Sequence, residues 1–236
     1  MKGLAIFLVG VAIVGAILVF SKKADSPVVV DENVPAEGTG DEALANPDTT
    51  DNVDVSFNGT KELDSTKSEA KWTGSKTLIK DYYDTGTLNI KSGNAIFASG
   101  MLTGGEVVFD MESIATTSTG KGSDADTTSK MAGHLKSADF FDAETFPEAK
   151  FVIKSAAKES GNTYLVTGDL TIKGKTNTES FPVEVVTADG IATITGTATI
   201  DRTVYDVKFG SSKFFQDLGD NVINDEFTPE FKAITK

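Results

Sequence analysis

The 236-residue chain contains no cysteine and only one histidine, His134. Without thiols it can form no disulfide, no thiolate metal site and no lipid-modified cysteine. Any imidazole catalysis has to run through His134. Basic residues are scarce as well: 22 Lys and Arg against 35 Asp and Glu give a formal net charge of −13. That balance disfavours nucleic acid as a partner, because phosphate binding needs a clustered basic surface. The acidity is unevenly placed. Residues 25–69 hold twelve acids and two lysines, whereas the first 23 residues hold three lysines and no acid. Tryptophan occurs once and phenylalanine fifteen times, which supplies apolar volume with few polar handles.

Long apolar runs are confined to one place. Leu4 to Phe20 carries no charge, and as a helix it would span roughly 26 Å, near the lower limit for crossing a bilayer. A cleaved signal peptide is the competing reading, but cutting after Ala24 would put Lys22 where a small residue is wanted. An uncleaved anchor over residues 1–24 is therefore the expectation. Lysines flank both ends, so charge does not orient it. Residues 25–67, with Pro27, Pro35 and Pro47 among Asp, Glu, Thr and Asn, read as a disordered acidic linker. Its reach as a coil would be roughly 35 Å. The alternative there is one short strand over Val53–Phe57.

From Ala70, just inside a domain expected over residues 68–236, the pattern turns to period two, the signature of strands with one dry face. Its apolar phase gives thirteen candidate interior positions: Leu88, Ile90, Val107, Phe109, Met111, Phe151, Ile153, Leu170, Ile172, Phe181, Val183, Ile194 and Ala198. A one-residue slip in any strand would exchange its inner and outer sets. Ala192, Ile194, Gly196, Ala198 and Ile200 alternate with four threonines, a strand whose dry face is mostly small. Small residues inside a barrel leave room for a ligand or let a neighbour approach closely. Turns are expected at Ser92-Gly93-Asn94, Thr103-Gly104-Gly105, Ser160-Gly161-Asn162, Lys173-Gly174-Lys175 and Ala188-Asp189-Gly190. Met131 and Leu135, four apart, predict a short helix within the long connection from Ser118 to Phe146.

Several constellations suggest chemistry and fall short. His134 lies near Ser129 and Asp139, yet the chain has no Gly-x-Ser-x-Gly elbow. Asp124-Ala125-Asp126 begins like a calcium loop but continues with Thr128, Ser129 and Leu135 where a ligand, a glycine and a glutamate are required. Gly168 to Thr176 ends like a phosphate loop with one residue too many between its glycines, and it leads into a strand rather than a helix. Asp201-Arg202 reads as a structural ion pair or barrel-closing contact. No cofactor is called for.

Four separated segments carry a family resemblance. They are Gly133 to Asp142 with Phe146-Pro147; Gly168-Asp169-Leu170-Thr171-Ile172-Lys173-Gly174; Ile200-Asp201-Arg202; and Phe214-Phe215-Gln216-Asp217-Leu218-Gly219-Asp220. In order and spacing they resemble the YceI-like family over about residues 68–236. The resemblance implies a mainly β fold: an antiparallel up-and-down, lipocalin-like barrel of about eight strands with a short helical insert. It implies an extracytoplasmic, non-enzymatic domain that holds an isoprenoid or similar lipid inside the barrel, lined by the thirteen positions above. Such a barrel is just wide enough to be filled by side chains or to hold one slender ligand. A structural or partner-binding module with a closed core is the alternative. An enzyme would need His134, Asp139 or Arg202 gathered inside the barrel. One departure stands out: Asp84 precedes Thr85-Gly86-Thr87 where relatives commonly have histidine, which puts in doubt any headgroup contact taken over from them.

Overall fold

The computed structural model describes residues 57–236. The expected anchor over residues 4–20 and linker residues 25–56 lie outside them. The strands are β1 (Gly59–Glu62), β2 (Glu69–Ser75), β3 (Tyr83–Ala98), β4 (Met101–Ser118), β5 (Glu148–Lys158), β6 (Thr163–Ile172), β7 (Lys175–Ala188), β8 (Ile191–Thr197), β9 (Ile200–Asp201) and β10 (Glu226–Ile234). Helix α1 (Ala125–Lys136) lies between β4 and β5. Eight strands, β2 to β8 and β10, close a ring in which each pairs antiparallel with the next, and β10 returns to β2. This is the expected up-and-down barrel. β1 and β9 are short additions to β3 and β10.

The antiparallel order sends connections alternately to two ends. One end has tight links, including Ser99-Gly100 and Asp189-Gly190, whose residues all have positive φ as hairpin turns require. The other end, the loop end, carries the β2–β3 loop, α1, the Lys173-Gly174 turn and the long β8–β10 connection. Two expected turns are corrected. Ser92-Gly93-Asn94 and Thr103-Gly104-Gly105 lie inside β3 and β4, which pair as one long hairpin with register shifts at Ile90/Ser92 and Ile96/Phe97. Their glycines serve close approach rather than reversal: a Cβ on Gly93 would sit 2.5 Å from the Glu106 carbonyl oxygen, and one on Gly105 2.4 Å from that of Asn94.

Ordered structure also begins earlier than residue 68. Phe57 packs edge-on against Phe97 with ring centroids 4.8 Å apart, β1 follows, and Leu63 bridges to Thr235. β1, with Gly, Thr, Lys and Glu, is polar on both faces and so leaves no period-two trace. Helix α1 is longer than its apolar pair suggested. Asp124 caps it by accepting the Thr127 amide at 3.0 Å, and Asp126 pairs with Lys130 one turn on.

Inside the barrel, aromatic rings lie over glycines of neighbouring strands. A Cβ on Gly86 would meet Trp72, one on Gly168 would meet Phe151, and one on Gly196 would meet Phe231. The small-residue face of β8 is thus explained in part by close approach: Gly196, in register with Phe231, makes room for that ring. Gly168→Ala is a clean probe of this packing, because its Cβ would fall 2.2 Å from the Val152 carbonyl oxygen and 2.8 Å from Phe151. The expected loss is about 2 kcal/mol, measurable as a lowered urea midpoint.

Candidate functional site

Buried side chains form two clusters along the barrel. The lower one includes Phe57, Leu63, Phe97, Tyr164, Val166, Val185 and Ala192; the one at the loop end includes Met111, Ile114, Leu135, Phe140, Ile200, Tyr205 and Val207. Leu88, Phe109, Leu170 and Phe181 touch both clusters yet are only partly buried. Their free faces border a cavity of about 240 Å³. All thirteen interior positions expected from the alternation line it.

Other lining residues escaped the sequence reading. Trp72, Phe227 and Phe231 come from β2 and β10, whose short runs between charged residues gave no alternation to read; Met131, Leu135, Phe140 and Phe141 come from α1 and the loop after it. The available signals were the Met131–Leu135 spacing and the Gly133 to Asp142 segment, which the chain folds back over the loop end of the barrel.

Polar groups line the cavity along its length: Ser75, Asp84, Arg202, Asn224 and Glu226 near the loop end, and Lys71, Asn94, Glu106 and Glu230 further along the barrel. Asp84 sits at the start of β3 in register with Gly74 and accepts a hydrogen bond from the Gly120 amide at 3.1 Å. Burial raises its carboxyl above the usual carboxylate range, against the opposing pull of that hydrogen bond and of Lys76 and Lys121. Arg202 is buried at 4% exposure and donates to three carbonyls: Nε to Asn224 at 3.0 Å, Nη1 to Val207 at 2.7 Å and Nη2 to Ile223 at 3.3 Å. Asp225 faces the guanidinium with Oδ1 at 3.7 Å from Nη2, and Lys213 bridges Asp225 and Asp201 at 3.1 and 2.9 Å. Burial pulls the guanidinium pKa down while Asp225 and Asp201 hold it up. Arg202 therefore fastens the β8–β10 connection, as a planar five-donor fork can.

The remaining candidates resolve into structure. His134 Nε2 lies 3.4 Å from Asp139 Oδ2, and its ring packs edge-on against Phe140 and Phe209 at 4.9 and 4.7 Å. Ser129 is five helical positions away, about 140° round the helix, and so faces elsewhere. The calcium-like Asp124-Ala125-Asp126 is the start of α1, and Lys173-Gly174 is a hairpin turn with φ of 48° and 70°. Among the described residues no cluster of His, Asp and Glu is placed to hold a metal. Tyr205, fully buried, donates its hydroxyl to Glu179 at 2.6 Å and packs the first 3₁₀ turn of the β8–β10 connection against β7. Burial, then that carboxylate, raises its phenol well above the ordinary range.

Comparison with known proteins agrees with this geometry. The solved structure of BcnA from Burkholderia cenocepacia is 25% identical, with a TM-score of 0.57 over 74% of this chain and 99% of that one. A domain from Saccharophagus degradans, described as polyisoprenoid binding, shares the fold at 15% identity and a TM-score of 0.51, covering 76% of this chain and 98% of that one. Among curated relatives, a UPF0312 protein of Staphylococcus aureus (strain USA300) is 38% identical over 86 residues, 34% of this chain. The chain spans about half the length of that relative, 47%. A UPF0312 protein of Photorhabdus laumondii is 54% identical over 43 residues, 18% of this chain and 22% of that protein. The model of the YceI-like domain matches residues 62–233, nearly the whole barrel, and the chain belongs to that family.

Proposed function

We propose that the domain binds a long-chain isoprenoid or similar amphiphilic lipid inside the barrel, without catalysis. The observation that carries this reading is the cavity of about 240 Å³ among Leu88, Phe109, Leu170 and Phe181, where a sealed barrel would have packed side chains. An apolar void is costly to leave empty and has no use for water. Each methylene buried there contributes about 0.8 kcal/mol, so a tail that threads the barrel offsets the entropy of ordering it. The fold neighbour described as polyisoprenoid binding supports the same ligand class. We further propose that the domain works outside the cytoplasmic membrane, held near it by residues 4–20 and the acidic linker. A tether of that kind keeps a lipid-handling barrel within reach of its ligand's source.

Native mass spectrometry of the exported protein, followed by organic extraction of any added mass, tests the ligand. Isoprene-spaced fragments are expected. A clean apo mass that persists after incubation with polyprenyl lipids would overturn the reading in favour of a surface module that acts through its exterior.

A further inference from the structure

The segment Phe214 to Asp220 is one of the four that carry the family resemblance, yet its two phenylalanines belong to neither buried cluster. Phe214 and Phe215 are 49% and 47% exposed, and Phe209, five residues before the first, is exposed as well. Fraying does not put them there. The carbonyl of Ser211, a fully buried residue, accepts the Phe214 and Phe215 amides at 3.1 and 3.0 Å. Phe209 is held by ring contacts with His134 and Phe140 at 4.7 and 5.3 Å. Every exposed phenylalanine or tyrosine among the described residues, Tyr83 included, is at the loop end, together with the exposed Leu78 and Val204. At the opposite end the exposed apolar residues are aliphatic side chains on strands, such as Met101 and Ile191. Aromatic rings held in water by a rigid turn mark an interaction surface.

What surrounds the rings decides the partner. Lys208 Nζ sits 5.1 Å from the centroid of the Phe214 ring while it pairs with Asp206. The hydrogen bond from Lys208, and then the charges of Lys173 and Lys175 on the β6–β7 turn, hold the Asp206 carboxyl below the usual carboxylate range. Three lysines thus share one acid beside the rings. On the β2–β3 loop Lys76 and Lys80 stand on either side of Leu78 in sequence. Asp139, Asp217 and Asp220 keep this end from being strongly basic, so it is no site for a polyanion. A protein partner would want the centre of its interface free of lysine. A bilayer suits the arrangement: apolar rings sink to the acyl boundary while the flanking lysines reach lipid phosphates. The cavity also comes to this end, and Phe140, which lines it, is the ring that Phe209 touches.

We propose that the loop end is a bilayer-docking surface, in which Phe209, Phe214 and Phe215 enter the interface of a phospholipid membrane and Lys173, Lys175 and Lys208 meet its phosphates. Its use rests on the lipid-binding reading, since it sets one end of the cavity against the source of an apolar ligand, but its geometry is independent of what the cavity holds. A tether would not by itself choose this end. Phe57 accepts the Gly100 amide at 3.1 Å at the opposite end of the barrel, so a linker leaving there would hold that end nearer to an anchor.

The chain has no cysteine, so a single dye can be placed at will. The full chain is labelled with NBD at Gln216→Cys, next to Phe215, or at Ser160→Cys in the β5–β6 connection of the opposite end, both exposed positions. It is then incorporated into vesicles of phosphatidylcholine and phosphatidylglycerol that carry a nitroxide on the upper acyl chain. Quenching at Gln216 is expected to exceed that at Ser160 about three-fold or more. Phe214→Gln combined with Phe215→Gln should bring the two labels within about 1.5-fold of each other; Phe215→Gln alone is the second variant if the pair lowers the urea midpoint. Equal quenching at the two positions, stronger quenching at Ser160, or a bias that survives in a folded variant overturns the docking surface. Native mass spectrometry reads the cavity separately. A filled cavity beside unbiased quenching overturns docking alone, and biased quenching beside a cavity that takes no prenyl lipid overturns the lipid-binding reading while the surface stands.

Discussion

Arg202→Ala should lower the stability of the domain by about 3–5 kcal/mol, the cost of removing one partner from a buried charge pair. The guanidinium is 4% exposed and reaches the carbonyls of Val207, Ile223 and Asn224. Its loss would strand these acceptors, and Asp225 Oδ1, already buried without a hydrogen bond, would lose the facing cation. Lys213 would still neutralise Asp225 from the outside through Oδ2 at 3.1 Å. Arg202→Lys should recover only part of the loss, because an ammonium is a point charge and cannot serve three divergent carbonyls. Urea unfolding of the two variants checks both expectations. A loss below about 1 kcal/mol for the alanine would place the fastening of this connection elsewhere, as in an ordinary exposed ion pair.

The barrel was legible because antiparallel strands with one dry face leave a period-two record that survives without any knowledge of pairing. The same record located the cavity walls: Phe109 on β4, Phe151 on β5 and Phe181 on β7 share one phase and one interior. What it could not reveal depends on register and on loops. Gly93 and Gly105 look like turn residues in sequence, but they lie in a bulged hairpin where two backbones nearly touch. Trp72 finds its place over Gly86 only once β2 is paired with β3, and the reach of its indole to the Ala115 carbonyl crosses a further strand. The resemblance marks Asp84 only as a departure from relatives, and its place in the cavity lining comes with the pairing that sets it opposite Gly74. The Asp201-Arg202 pair was recognisable as structural, but its carbonyl partners lie five to twenty-two residues away along a connection with no periodicity.

Filling the waist of the cavity should abolish ligand binding and leave the fold intact, and Leu170→Trp is the substitution that does so. Leu170 stands in register with Phe151, touches both buried clusters and keeps a free face toward the cavity. An indole there would occupy the space of several ligand methylenes. Displacing four of them forfeits about 3 kcal/mol, equivalent to a loss of affinity of about a hundred-fold or more. Overpacking a dense core would cost 1–3 kcal/mol by itself, but the ring enters a void, so the change in stability should stay within about 1 kcal/mol. Leu165 on the same strand provides the control: it faces outward and is 38% exposed, so Leu165→Trp should leave binding unchanged. Titration of both variants with a prenyl lipid, alongside urea unfolding, separates the possibilities. If the Leu170 variant is stable and still binds like the wild type, the ligand does not pass the waist, and the interior void is a packing defect rather than a binding site.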